Sequence, residues 1–184
     1  MRTDLHPDLA RVLVSEDTIQ AHVKVLAHQI SLDYADAEKI YLIGILKGSF
    51  IFLADLAREL SVDHVVDFMA VSSYGNSTES GAVRIVMDLR ESIAGQHVIV
   101  VEDIVDSGKT LTYLLDTLGG RGPASLRTCS LVRKRRESLD LTVDYLGFDI
   151  PDVWVVGYGL DYAEKHRTLP FIAELKEEVY QNDG

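Results

Sequence analysis

A chain of 184 residues, 47% of them apolar and 26% charged, falls in the ordinary range of one globular domain with a real core, which excludes disorder as the default. At this size folding buries roughly 70% of the unfolded chain's surface, so neither disulfides nor a structural metal is needed, and the single Cys129 lies in an apolar run that suits an inert, buried thiol. The formal charge of −11 disfavours broad binding to nucleic acid or anionic membrane, which rests on surplus Lys and Arg, yet a small phosphorylated ligand needs only a few local donors.

The start, MRTDLHPDLARVLV, carries no basic region followed by an apolar one, and no stretch approaches the roughly 20 apolar residues of a membrane span; a cytoplasmic enzyme or binding protein is expected. No repeat or Pro/Gly/Ser-rich linker divides the sequence, so residues 1–184 are expected to form a single domain. Ile19, Val23, Leu26, Ala27 and Ile30 recur at helical spacing and predict a helix over Glu16–Ile30, with Ser15 or Asp17 as its N-cap. Ile40–Leu46 predicts a strand and Phe50–Leu60 a helix. HVVDFMAVSSY, VRIVMDL and HVIVVEDI follow as strands, then a helix over Thr110–Leu118, then SLRTCSLV and DVWVVGY as strands. Continuously apolar strands such as HVIVV suggest burial on both faces, hence an α/β fold with a mostly parallel sheet flanked by helices. In such sheets ligands sit at the carboxyl ends of the strands.

The strongest signal is VIVVEDIVDSGKTLT at 98–112: a buried strand, two adjacent carboxylates, a turn of small residues and a helical pattern. Such a turn at a helix N-terminus offers backbone N–H groups and a favourable dipole to a phosphate, with Gly108 permitting the tight backbone and Ser107 and Thr110 adding hydroxyls. Gly108, Lys109 and Thr110 spell the end of a Walker A loop, but Asp103 stands where that loop requires its first Gly, which disfavours a nucleotide triphosphatase. Glu102 and Asp103 would repel a polyphosphate unless they faced hydroxyls or a metal, and ribose hydroxyls with Mg²⁺ meet that need. Singly, these acids could merely end a strand and Asp106 could merely cap a helix.

Together the fifteen residues resemble the signature of the type I phosphoribosyltransferases, two carboxylates followed by D-[ST]-G-x-T. From about Val12 to Leu175 the chain is similar to the hypoxanthine–guanine branch of that family, through ILKGSF at 45–50, SSYGNSTESG at 72–81, VEDIVDSGKTL at 101–111 and PDVWVVGYGLDYAEKHRTLPFI at 151–172. The resemblance implies a type I phosphoribosyltransferase fold: a central twisted sheet flanked by helices, a small hood for the base built from the N-terminal segment and about 145–184, and a mobile loop over about 72–82. It implies a pentosyltransferase that moves the phosphoribosyl group of phosphoribosyl pyrophosphate to N9 of hypoxanthine or guanine, giving IMP or GMP and pyrophosphate in purine salvage. A homodimer or homotetramer is implied too.

Residue by residue, the resemblance assigns phosphoribosyl pyrophosphate to Lys47, Gly48, Ser73, Tyr74, Glu102, Asp103, Asp106, Ser107, Gly108, Lys109, Thr110 and Arg167. It implies a non-proline cis peptide before Lys47, ribose hydroxyls on Glu102 and Asp103, and the 5-phosphate in the turn 106–110. Mg²⁺ is assigned to Glu102, Asp103 and Asp161, and the purine to Ile104, Lys134, Trp154 and Val155. Asp106 is the implied general base for the purine imidazole proton. Lys134 would donate to the purine O6, although its place in the run Arg133-Lys134-Arg135-Arg136 leaves the register open by one residue. Lys109 stands where many bacterial relatives carry Leu, and Tyr162, Glu164 and Lys165 read as loop residues. Two other readings stand beside this one. A regulator of pyrimidine genes that binds RNA shares the fold but needs a basic face, which the charge of −11 disfavours; a xanthine-preferring or pyrimidine-specific transferase would differ only in the base it takes.

Overall fold

The structure is a computed structural model and describes residues 5–73, 83–136 and 141–181. Its elements in chain order are β1 (Leu9–Val14), α1 (Glu16–Asp33), β2 (Ile40–Leu46), α2 (Phe50–Glu59), β3 (His64–Ser73), β4 (Val83–Met87), β5 (His97–Val105), α3 (Lys109–Gly119), β6 (Ser125–Lys134), β7 (Tyr145–Ile150), β8 (Val155–Val156), β9 (Ile172–Leu175) and α4 (Glu177–Gln181). Ser15 caps α1, its side chain accepting from the Thr18 N–H.

Six strands form one sheet in the order β4-β3-β2-β5-β6-β7, parallel throughout except for β4, which runs antiparallel to β3. The continuously apolar strands follow from what covers them. Along β2 and β5, Ile40, Leu42, Ile99 and Val101 pack with the buried face of α1 and with Phe52, Leu53 and Leu56 of α2. Their alternate neighbours Tyr41, Ile43, Ile45, Val98 and Val100 pack against Leu111, Leu114 and Leu118 of α3. Successive side chains point to opposite faces and both faces are covered, so both sets of positions are apolar.

The chain leaves β2 for β3 on one side and returns to place β5 on the other. The strand order therefore reverses at β2/β5, and the crevice beyond their carboxyl ends is where such sheets bind ligands. A second, antiparallel sheet, β1-β9-β8, has a small core that joins Leu9 to Val156, Ala173 and Leu175.

The expected strand DVWVVGY shrinks to Val155–Val156. Gly157 and Gly159 hold positive φ of 99° and 104°, with Tyr158 at 52° between them, and this backbone cannot continue a strand. Three strands, β1, β7 and β9, have no counterpart among the expected elements. In β1 only the two end residues are buried, so it carries little alternation and owes its conformation to pairing with β9. Tyr145–Ile150 extends the large sheet as β7, whereas 155–175 contributes to the small one. Among the described residues no helix is long and apolar enough to cross a membrane.

Candidate active site

At the crevice a cleft of about 290 Å³ is lined by Lys47, Gly48, Asp103, Ile104, Asp106, Lys134, Trp154, Val155, Leu160, Asp161 and Arg167. A second of about 240 Å³ adjoins it, bounded by Glu102 to Gly108, Thr110 and Leu111. A larger hollow beside β3, lined by Tyr41, Val65, Phe68 and Leu89, shares none of these residues.

Near the carboxyl end of β5, Glu102 is buried and Asp103 half-buried, and as strand neighbours they turn to opposite faces: Asp103 lines both clefts, Glu102 only the smaller. Burial raises both carboxyls. Asp103 is pushed up to about 6, chiefly by desolvation and further by Asp161, against the backbone N–H groups and Arg167 that favour its charge. Glu102 is raised well above the ordinary range by burial and then by Asp103. This oxygen-only pair, short of compensating positive charge, suits a hard cation such as Mg²⁺, which needs one or two protein carboxylates and takes its other ligands from substrate and water. Among the described residues the group of three ligand atoms that converges is His6, Asp8 and His166.

Beyond Val105 the chain turns through Asp106 and Ser107 to Gly108, the N-cap of α3, which holds φ at +75°. No side chain caps this helix, so its first N–H groups remain available to an anion in the smaller cleft. Ser107, Gly108 and Thr110 line that cleft. The exposed side chain of Lys109 does not.

The Leu46–Lys47 peptide is cis. Gly48 follows, and a Cβ there would overlap the Asp103 carboxylate; a Cβ on Gly159 would overlap the Gly48 carbonyl. The two loops therefore meet backbone to backbone beside Asp103. Arg167 belongs to the second loop: its NH1 donates to the Gly159 carbonyl (2.8 Å), its NH2 pairs with Asp161 (2.8 Å), and its Nε is buried without a hydrogen-bond partner among the described residues. Glu164 joins the two cations, lying 3.0 Å from Lys47 Nζ and 3.4 Å from Arg167 NH2. Sequence reasoning makes Glu164 a loop residue and misses this bridge. Its spacing from Arg167 is local, but Lys47 lies 117 positions away, and no sequence pattern links the two.

At the other end of the cleft, Trp154 is half exposed and is no core residue. Its ring meets Tyr162 edge-on (5.8 Å) and Tyr180 at a tilt (5.5 Å), with Lys134 Nζ 5.9 Å from its centroid. Strand alternation along β6 resolves the basic run: Lys134 turns into the cleft, while Arg133 points away to pair with Asp149 at 2.8 Å. Lys134 Nζ lies 3.1 Å from Asp106 Oδ2 and 3.4 Å from Asp152 Oδ1. Arg136 NH2 joins the same two acids, 2.8 Å from Asp152 Oδ1 and 2.7 Å from Asp106 Oδ1, the latter a close ion pair without hydrogen-bond alignment. Ile104 and Val155 supply apolar lining. Ser73 ends β3 opposite Val83, and Tyr74, with the rest of the expected loop through residue 82, lies outside the described residues.

The phosphoribosyl transferase domain model matches residues 15–163. The chain is 48% identical over 175 residues to the hypoxanthine-guanine phosphoribosyltransferase of Dictyostelium discoideum, covering 92% of this chain and 97% of that one. It is 44% identical over 177 residues to the enzyme of the same name from Bacillus subtilis (strain 168), covering 95% and 98%. A solved hypoxanthine phosphoribosyltransferase from Trypanosoma cruzi, a mutant complexed with the product IMP, superimposes with a TM-score of 0.90 at 39% identity over 98% of each chain. The fold, the paired carboxylates beside the small-residue turn into α3 and these likenesses agree: the chain belongs to the hypoxanthine-guanine branch of the phosphoribosyltransferase family.

Proposed function

We propose that this chain transfers the phosphoribosyl group of phosphoribosyl pyrophosphate to hypoxanthine or guanine, yielding IMP or GMP and pyrophosphate. One observation carries the reading: a single crevice sets an acidic pair, a phosphate turn and two cations at one end and an aromatic ring beside a Lys–Asp pair at the other.

The purine end follows from the edge that the base presents. The imidazole N7 and the 6-oxo group lie side by side on one edge of hypoxanthine and guanine, and a free base protonated at N7 offers a donor next to an acceptor. Asp106 and Lys134, 3.1 Å apart, offer the reverse pair, an acceptor next to a donor. Asp106 Oδ accepts the N7 proton as N9 bonds to ribose C1, and Lys134 Nζ donates to O6. Trp154 stacks on the ring and Ile104 and Val155 wall it in.

At the sugar end the ribose hydroxyls donate to Glu102 and Asp103, and the N–H groups of Ser107–Thr110 take the 5-phosphate. As the bond from C1 to pyrophosphate breaks, Lys47 and Arg167 stabilise the departing charge while the nearby carboxylates favour the cationic sugar. Mg²⁺, held by Asp103 with Glu102 or Asp161, would supply further positive charge on pyrophosphate. The segment at about 72–82, Ser73 and Tyr74 included, excludes water as a lid in this reading, and the protein works as a homodimer or homotetramer.

The test is a parallel assay of hypoxanthine, guanine, xanthine and uracil with phosphoribosyl pyrophosphate and Mg²⁺, following mononucleotide and pyrophosphate. Turnover of hypoxanthine or guanine is expected. Exclusive turnover of xanthine or uracil would overturn the base assignment.

A further inference from the structure

We propose that His6, Asp8 and His166 form a binding site for a borderline divalent transition ion such as Zn²⁺, separate from the catalytic crevice. Asp8 Oδ2 lies 3.0 Å from His166 Nε2 and 3.5 Å from His6 Nδ1, and the three atoms fall within 4.8 Å of one another. Ligands about 2.0–2.1 Å from a tetrahedral zinc sit roughly 3.3–3.4 Å apart, so the two edges at Asp8 lie within a few tenths of an ångström of that spacing. His6 Nδ1 accepts from the Asp8 N–H at 3.2 Å, and the exposed His6 ring would turn, exchanging that hydrogen bond for the ion, to close the third edge. The position of Asp8 is fixed by its backbone, whose carbonyl accepts from the Lys176 N–H at 2.9 Å. His166 is fixed by its left-handed backbone, φ +70°, and by burial that leaves its side chain 9% exposed. His6 and Asp8, with side chains 49% and 33% exposed, give the ion a way in from solvent.

Two imidazoles and one carboxylate select zinc, cobalt or nickel over the hard Mg²⁺ suited to Glu102 and Asp103. With the ion bound, His166 Nε2 turns its lone pair to the metal, the neutral ring carries its proton on Nδ1, and water takes the fourth position. An occupied site would tether the segment before β1 to the residue preceding Arg167.

The experiment is calorimetric titration of the full chain with Zn²⁺ at neutral pH, with Mg²⁺ in millimolar excess to fill the catalytic carboxylates. Co²⁺ is titrated in parallel and followed by its visible absorption. One equivalent is expected in the wild type, weakened roughly 10–100-fold or more in both His6→Ala and Asp8→Asn and retained in Asp103→Asn. Folding is checked by circular dichroism, and His6→Ala changes an exposed side chain outside the core. Equal zinc affinity in wild type and His6→Ala, or no binding under Mg²⁺ excess, would overturn the site and leave the cluster an ion-paired contact only.

Discussion

Lys134 Nζ and Asp106 Oδ2 stand 3.1 Å apart, so the group proposed to read the purine O6 is ion-paired with the group proposed to take the purine's proton. Asp152 and Arg136 complete a four-membered ion-pair cluster with them, and in the proposed reading a 6-oxopurine replaces the Lys134–Asp106 contact with two contacts at once. Adenine cannot, because it presents an amino donor to the ammonium. Asp106→Asn keeps the shape and removes the base, so kcat should fall roughly 10²–10⁴-fold with phosphoribosyl pyrophosphate affinity little changed. Lys134→Ala should instead raise the KM for hypoxanthine and guanine, and wild-type turnover of adenine should be negligible, on the scale of roughly 10⁴-fold discrimination. Steady-state kinetics separate the two effects; a Lys134→Ala enzyme with normal base KM would remove Lys134 from the site.

Trp154 is half exposed at the same cleft, a poor arrangement for a core residue and a good one for stacking. Trp154→Ala should weaken purine or nucleotide binding by about 1–3 kcal/mol, the range of aromatic–base stacking, with little loss of thermal stability. A large drop in melting temperature with unchanged base KM would show that the ring serves packing instead.

Glu164 pairs with Lys47 and Arg167, the two cations proposed to stabilise pyrophosphate, and its side chain is exposed enough to leave. Lys47 and then Arg167 hold its carboxyl below the ordinary range, so it stays charged at neutral pH and, on the proposed reading, would compete with that ligand. Glu164→Gln should tighten phosphoribosyl pyrophosphate binding by up to about fivefold, the scale set by an exposed, solvent-screened ion pair. Fluorescence titration of Trp154 can report it, and weaker binding in the variant would give Glu164 a supporting role.

Gly159 touches the Gly48 carbonyl with backbone alone and holds φ at +104°, which an L side chain rarely adopts. Gly159→Ala should push the Lys47–Gly48 turn off Asp103 and release the Arg167 guanidinium from the Gly159 carbonyl. The expected result is a raised phosphoribosyl pyrophosphate KM together with a lower melting temperature. Wild-type kinetics would mean that the two loops move apart without cost.

Far from the site, Asp33 accepts from Tyr145 (2.7 Å) and Arg127 (2.6 Å), and these contacts hold its carboxyl below the ordinary 3.8. A depressed carboxyl contributes stability above its unfolded value and loses it as pH falls through its folded value. Asp33→Asn should therefore unfold more easily at neutral pH, by no more than about 1 kcal/mol for so exposed a pair, with the difference shrinking as pH falls through the acid range. Urea melts across that range test the sign.

Elements whose signal is local are legible in the chain before it folds. Helical spacing marks α1 and α2 closely, apolar runs mark β2 and β5, and EDIVDSGKT marks the strand–turn–helix junction because strand, carboxylates and small residues are contiguous there. What distant segments do to one another is decided only on folding. β1 and β9 are strands because each completes the other's hydrogen bonds across about 160 residues of chain, as Leu9 opposite Leu175 shows, and neither has a strong apolar alternation of its own. The face of Lys134, ambiguous in a run of four cations, is settled by strand alternation because β6 reaches that far. The Glu164 bridge, the Gly48–Gly159 contact and the His6–Asp8–His166 cluster have no sequence signature, since each depends on where two segments remote in the chain meet in space.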